Sequence, residues 1–587
     1  MVVKFESPLN VEEKVKEYLG EYYDVAYDYV PYYFRLREDD EEKFLFQDSI
    51  HWPSPLKPID MFMIQLMQWP YCMPQHILHK FPTSRGADWK IVNGYAFIIP
   101  LEVSDPEEVK RREEHFMNSA KKYYSQWNEL WNKKLDEEVL PSLDWMENLD
   151  FRNEEVSYKF IENFDRMIHT MFRLWEIHFE FLGLGYAAYV LLINTAKELF
   201  PGIDDQTITK FVQGLGTIMM ETDRKFYELA KLAIDLGINS LFQKKPDEIL
   251  DELGKSESGR KWLEEFEEVM KKYGNRIDAG LYFGYRTWRE DYSTSLSIIQ
   301  NYITKILSGE DPLPPQEELE RERERIIAEY LDLLDGNERE RFKEIIGLAQ
   351  LVYPYVEDHN FYIDQKADTL FRLKLLEIGE RFAEKGYISD PEDIAFLTVD
   401  EIRHALYDML IDYGGRLYSC SDFKELIEKR KKVYELQSKW TPPKVMGIAP
   451  EKITEPLFVQ LWGVTSEAIE LWKSQKEVVE ERVIKGFPAS PGVYEGYARV
   501  LHSPDEIPNL VQGEILVVRC TTPAWTAVFP VVGAVVTDIG GLMSHAAIIS
   551  REYGIPAVVG SLFATSRIKT GQKIRVDGNR GIVEILD

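Results

Sequence analysis

An abrupt change in hydrophobic period near residue 440 divides this chain into parts that cannot share one architecture. Upstream, apolar residues recur at helical spacing. In TLFRLKLLEIGERFAEKG, Leu370, Leu373, Leu376 and Phe382 mark one helix, and Gly386 is placed to end it through a left-handed turn. Asp390 before Pro391 is a further start signal, and Thr398 stands three residues before Glu401 in the capping-box pattern. Only KIVNGYAFIIP, Lys90 to Pro100, is strand-like there, which predicts a small sheet or hairpin within the helices. The run WTPPKVMGIAP from Trp440 breaks helices, and a helix around Thr465 to Glu480 is expected to follow. After Glu481 come short β-branched runs (YARVL, GEILVVRC, GAVVTD, PAVVG, KIRVDG, GIVEIL) separated by Gly, Pro and Asp. At 587 residues the chain exceeds one core. The expectation is a multidomain protein: a mainly α-helical domain over 1–439, a linker with a connecting helix over 440–480, and a C-terminal α/β domain over 481–587.

Charge narrows the function. A formal net charge of −30 opposes binding to a nucleic-acid backbone or an anionic membrane, so neither is an expected partner. Runs such as EELERERERIIAEYLDLL read as solvated helix faces. Cys72, Cys420 and Cys520 are scattered without ligand spacing, and no metal site is expected, at His51, His76 and His79 or elsewhere. The apolar stretch Phe179 to Phe200 is interrupted by Glu180, Asn194, Lys197 and Glu198, as suits a buried helix better than a bilayer span. The acidic, amphipathic N-terminus lacks the pattern of an export signal, and a cytoplasmic location is expected.

The segment richest in chemistry is GAVVTDIGGLMSHAAIISREYGIPAVVG, Gly533 to Gly560. A buried strand ends at Thr537, Gly540 and Gly541 permit a tight turn, and Ser544 is a good N-cap for a helix that Gly554 and Pro556 stop. His545 then sits at a helix N-terminus, where unpaired amides and the helix dipole favour a phosphoryl group and disfavour imidazolium. A neutral imidazole there is a candidate phosphoryl-accepting nucleophile. Ser544 and Thr537 are candidate donors to phosphoryl oxygens, and Arg551 a candidate counter-charge. Which ring nitrogen attacks depends on the hydrogen bond made by the other.

The whole of this C-terminal region resembles the swivelling phosphohistidine domain of phosphoenolpyruvate-utilising enzymes, through GFPASPGVYEGYARV, TTPAW, TDIGGLMSHAAIISREYGIPAVVG and VDGNRGIVEI. The resemblance implies that His545 carries the phosphoryl group, with Thr521, Thr537, Gly540, Gly541 and Ser544 on the phosphate side. Arg551, Glu552 and Gly554 also fit that pattern. The helical region is similar, more weakly, to the acceptor-binding region of rifampin phosphotransferase, at HWPSPLKPID, VNGYAF, YGNRID and the block from EDHNFYID to PPKVMG. Its order, helical domain then phosphohistidine domain without an ATP-grasp or Walker-type element, resembles the large subunits of phenylphosphate synthases.

These resemblances imply a dikinase-type phosphotransferase with no cofactor of its own. Mg-ATP is expected on a separate ATP-grasp subunit, and the acceptor is expected to be phenol or a related aromatic alcohol. The C-terminal domain would carry the phosphoryl group to a mainly α-helical acceptor-binding domain, held near it by the tether. A hydroxyl acceptor needs a base, for which His359 is the candidate, with Glu357, Asp358 and Asp364 as nearby acids. Tyr355 and Tyr362 would share its helix face as an aromatic wall, and Arg276 and Arg372 are candidate phosphoryl clamps. A rifamycin-like or pyruvate acceptor, or a phosphocarrier role without small-molecule discharge, are the alternatives.

Overall fold

The computed structural model describes residues 3–277, 280–313, 315–412, 421–450, 453, 456–474, 482–502, 504–521, 525 and 528–586. Cys420, residues 522–524 of the TTPAW motif and 475–481 of the expected connecting segment lie outside them.

The helical part is organised around α1 (Tyr158–Leu199), whose N-cap Ser157 accepts a hydrogen bond from the Phe160 amide. This helix is long and apolar enough to cross a membrane, but 72% of its most apolar window is buried within the fold, so it is a core helix. Against it lies α2 (Gly336–Asn360), which runs through a π-helical turn, Phe361–Ala367, into α3 (Asp368–Glu384). Residues five apart on a regular α-helix point away from each other. The i→i+5 bonding of a π turn swings them back to one side. This re-phasing brings Asp364 round toward His359, and both line one cavity.

The helix signals have physical outcomes. Gly386, at φ +77°, ends α3 as expected. Thr398 and Glu401 close a reciprocal capping box: the Thr398 amide donates to Glu401 Oε2 at 2.8 Å and the Glu401 amide to Thr398 Oγ1 at 3.2 Å. Asp390 caps only a short 3₁₀ turn, Pro391–Phe396. Lys90 to Pro100 falls in a hairpin of a four-stranded sheet built from β1 (Leu45–Gln47), β2 (Ser84–Val92), β3 (Tyr95–Glu102) and β4 (Val445–Met446), in the order β2-β3-β1-β4. Asn93 and Gly94 turn this hairpin at φ +48° and +79°, the left-handed pair that matches strand twist.

The strand β4 corrects the expected linker. Val445 and Met446 pair with β1, and Ile448 and Ala449 pair with Val3 and Lys4, because alternating apolar residues here complete sheets of the helical part. Further on, Phe458 and Trp462 pack edge-on against Phe46, and the Trp462 indole donates to Asp48 Oδ1 at 2.9 Å. A helix, Ser466–Ser474, follows.

The C-terminal part is a mixed eight-stranded sheet: β5 (Val483–Lys485), β6 (Phe487–Ser490), β7 (Val493–Leu501), β8 (Ile515–Val518), β9 (Ala534–Thr537), β10 (Ala557–Val559), β11 (Lys573–Asp577) and β12 (Ile582–Ile585), in the order β5-β12-β11-β7-β8-β9-β10-β6. The central strands β7 to β10 run parallel. Their alternation splits two cores. Ile515, Val517, Ala534 and Val536 face one, while Leu516, Val518, Val535 and Ala557 face the other, with α4 (His545–Glu552). The second core is continuous with that of the helical part.

Candidate active site

The α4 N-terminus is aimed at the helical part. After β9 the chain turns at Gly540, at φ +128°, and Gly541 lies so close to the neighbouring segment that a Cβ there would come within 2.2 Å of the Gln460 carbonyl oxygen. His545, the first residue of α4, opens onto a cavity between the two parts. Its Nδ1 lies 3.0 Å from Thr521 Oγ1, and the Phe529 ring stands edge-on to it. Burial, reinforced by the Arg276 guanidinium, lowers the imidazole pKa to about 3, so the ring is neutral at physiological pH.

The cavity holds about 1170 Å³ of empty space, its mouth included, and Tyr71, Trp175, Phe179, Tyr186 and Trp462 give it aromatic walls. Opposite His545 stand His178 of α1, Glu357 and His359 of α2, and Asp364 of the π turn. His359 Nδ1 lies 2.6 Å from the Tyr355 carbonyl oxygen, which makes Nδ1 the protonated nitrogen and leaves the lone pair on Nε2. The His178 and His359 rings meet at 4.4 Å between centroids, and His178 Nδ1 is 2.9 Å from Asp364 Oδ1. Burial would raise the Asp364 carboxyl, but His178, His359 and His51 hold it below the usual range. Burial, with Asp358 and Glu552 nearby, pushes Glu357 up to about 8. Among the described residues its Oε2 has no hydrogen-bond partner.

The geometry sorts the residues singled out by sequence. His545, Thr521, Ser544, Arg276, Glu357, His359 and Asp364 all face the cavity. Ser544 occupies the N-cap position, but its hydroxyl makes no capping bond. Thr537 does not reach the cavity, since its hydroxyl donates to the Ile539 carbonyl at 2.9 Å. Arg551 is turned inward as a brace and not as a counter-charge, donating to the Ala489 and Leu542 carbonyls at 3.1 and 2.9 Å. Arg372 is committed to Glu290 and Glu392, at 2.8 and 3.0 Å. Asp358 accepts from the Ile218 amide at 2.8 Å, and Tyr362 packs on Phe361, so neither lines the cavity. Tyr355 lies behind His359, stacked on it at 5.0 Å, and its hydroxyl donates to the His178 carbonyl at 3.0 Å. The assignment of His359 as base meets a physical obstacle: burial and His178 lower its pKa to about 3, too weak to hold an acceptor's proton.

Sequence reading missed His178, and gave His51 no role. His178 is one of two histidines on a long helix of mixed apolar and charged residues, and nothing in its neighbours marks it. In the fold it joins His359 and Asp364 in a group whose potential ligand atoms all lie within 4.8 Å of one another, a grouping not legible in the sequence. His51, also on the cavity, is oriented by Asp48 at 3.0 Å and carries a raised pKa because that carboxylate outweighs burial.

Comparison with known proteins finds two family matches: the mobile domain of PEP-utilising enzymes over residues 510–581, and the fourth domain of rifampicin phosphotransferase over residues 179–357. The chain is 29% identical over 520 residues to chondramide synthase cmdD of Chondromyces crocatus, covering 85% of this chain and 13% of that protein. It is 28% identical over 442 residues to the uncharacterized phosphotransferase YvkC of Bacillus subtilis, covering 74% of this chain and 50% of the relative. Against rifampicin phosphotransferase of Bacillus cereus the identity is 33% over 353 residues, 58% of this chain and 36% of the relative. The chain thus spans half or less of the length of these relatives.

Proposed function

From its matches to the mobile domain of PEP-utilising enzymes and to the fourth domain of rifampicin phosphotransferase, we propose that the chain is a dikinase-type phosphotransferase component of the PEP-utilising family in which His545 relays a phosphoryl group to a hydroxyl acceptor. The observation that carries this reading is the placement of a neutral imidazole at a helix N-terminus, facing an aromatic cavity walled by the helical part. The acceptor that fits such walls is a phenol or related aromatic alcohol, as in phenylphosphate synthesis. The rifampicin phosphotransferase match favours a second reading, a larger aromatic acceptor in the same cavity.

We assign the Nδ1 proton to the Thr521 contact at 3.0 Å, which puts the attacking lone pair on Nε2. Phosphoryl transfer from Mg-ATP, held by a separate ATP-grasp subunit, forms an Nε2–P bond as the P–O bond to the departing nucleotide breaks and its oxygen keeps the electron pair. The C-terminal part then docks as seen here. The acceptor oxygen attacks phosphorus, its proton passes to the Glu357 carboxylate, and the N–P electron pair returns to the ring. The Arg276 guanidinium offers charge to the phosphoryl oxygens in flight. Docking of a tethered donor keeps bulk water from competing.

The test supplies phosphoramidate, or the nucleotide subunit with labelled ATP, and follows phosphohistidine by phosphorus NMR before and after adding phenol, a rifamycin or pyruvate. Discharge by phenol with release of phenylphosphate is expected. An adduct that forms at another residue, or that no hydroxyl compound discharges, overturns the reading.

A further inference from the structure

Three groups come together below His545 from distant stretches of sequence: His178 of α1, His359 of α2 and Asp364 of the π turn. The geometry points to a divalent transition-metal site at His178, His359 and Asp364, with an open position on the cavity where an acceptor oxygen binds.

Four observations carry it. Each residue offers one ligand atom, and these atoms lie within 4.8 Å of one another, so modest side-chain rotation closes them on an ion with bonds of about 2.1 Å. His178 Nδ1 and Asp364 Oδ1 approach to 2.9 Å as a buried pair, and among the described residues neither atom has a hydrogen bond of regular geometry. Such an approach is costly for a buried hydrogen-bonding pair, but adjacent ligands of one ion are spaced at about 3 Å. The His359 Nδ1 hydrogen bond to the Tyr355 carbonyl supplies the outer contact that fixes a ligating imidazole and frees Nε2. Tyr355 is fixed in turn by its ring packing against Trp127 and Trp131 and by its bond to His178 O. Finally, the π turn that presents Asp364 is a departure from regular helix of the kind that often marks a functional site.

Two imidazoles and one carboxylate suit zinc, cobalt or manganese and not magnesium, and three protein ligands leave a coordination position open. In the relay described above, on which this role rests, a hydroxyl bound at that position loses its proton more readily. The proton passes to Glu357, the oxygen forms its bond to phosphorus, and the N–P bond breaks with its electron pair returning to the His545 ring, the metal's charge unchanged.

The test separates the site from the relay. The full chain, freed of metal by chelator, is titrated with Co²⁺ and followed by its visible ligand-field bands, then competed with Zn²⁺. One ion per chain is expected, with binding weakened at least about tenfold by His178→Gln and by Asp364→Asn and unaffected by His115→Gln, whose ring bonds the Leu78 carbonyl and does not line the cavity. Circular dichroism identifies any variant that fails to fold, and Asp364→Glu, which retains a carboxylate, then serves in its place with shifted bands. Absence of stoichiometric binding, or binding indifferent to these substitutions, overturns the site. Phosphoramidate labelling of His545 is measured on the same samples. Labelling that persists after chelation with discharge slowed supports the metal's role, and discharge untouched by chelation removes that role. Failure of labelling itself counts against the relay alone.

Discussion

The two walls of the cavity were built by opposite strategies. On the C-terminal side the working residues are nearly contiguous: Ser544 and His545 follow the Gly540-Gly541 turn of one strand-turn-helix, and Thr521 joins them from the preceding loop. On the helical side, His51, His178, Arg276, Glu357, His359 and Asp364 arrive from separate elements and meet only in the fold. A local motif can carry its chemistry from one protein to another, whereas a distributed wall can be re-lined piece by piece. Under the proposed relay, the difference would let a constant donor serve varied acceptors.

Breaking the local side has the largest effect. His545→Ala is expected to abolish phosphoryl labelling to below detection, checked by phosphorus NMR after phosphoramidate treatment. On the distributed side, Glu357→Gln is expected to spare labelling and slow discharge to phenol by about 10²- to 10³-fold, read by single-turnover release of the label. Labelling and discharge lost together in this variant would dissolve the proposed division of labour.

The seam between the sides titrates. The Glu552 carboxylate accepts the Gly214 amide at 3.2 Å, while Tyr553 donates to Asp223 at 2.5 Å. Burial pushes the Glu552 pKa up from an ordinary 4.5 to about 7, against the lowering influence of the Gly214 amide, Arg551 and Arg323. Glu357 and Tyr353 also face it electrostatically. A raised carboxyl pKa means that the docked state prefers the protonated form. Docking is therefore strongest below about pH 4.5 and weakens as pH rises to about 7. The effect is at most about 3 kcal/mol, at ~1.4 kcal/mol per pH unit. Glu552→Gln is expected to flatten that slope in a pH series of thermal melts, and an unchanged slope would place the titration elsewhere. The smallest effect belongs to Thr521→Val, which removes the Nδ1 partner and is expected to slow labelling about tenfold, equivalent to ~1.4 kcal/mol. Full-speed labelling would show that the ring needs no such anchor.

The same contrast governs what the sequence reveals. The change of period, the hairpin around Asn93-Gly94, the Thr398 capping box and the placement of His545 follow from residues close together in the chain. Paired Arg372 and Arg551 could not be told from free clamps, because their partners lie far away or are backbone carbonyls. Tyr362 was assigned to the His359 face on a regular helical period, which the π turn abolishes. His178 left no mark, since a histidine in an apolar helix is ordinarily a satisfied core residue.

The π turn at Phe361–Ala367 ties robustness to use. Deleting one residue there would restore regular bonding locally but turn α3 by about 100°, taking Leu370, Leu375, Ile378 and Phe382 out of the core together with Asp364. The irregularity is thus locked in by the packing that depends on it, and a protein engineer selecting for thermal endurance would leave it in place.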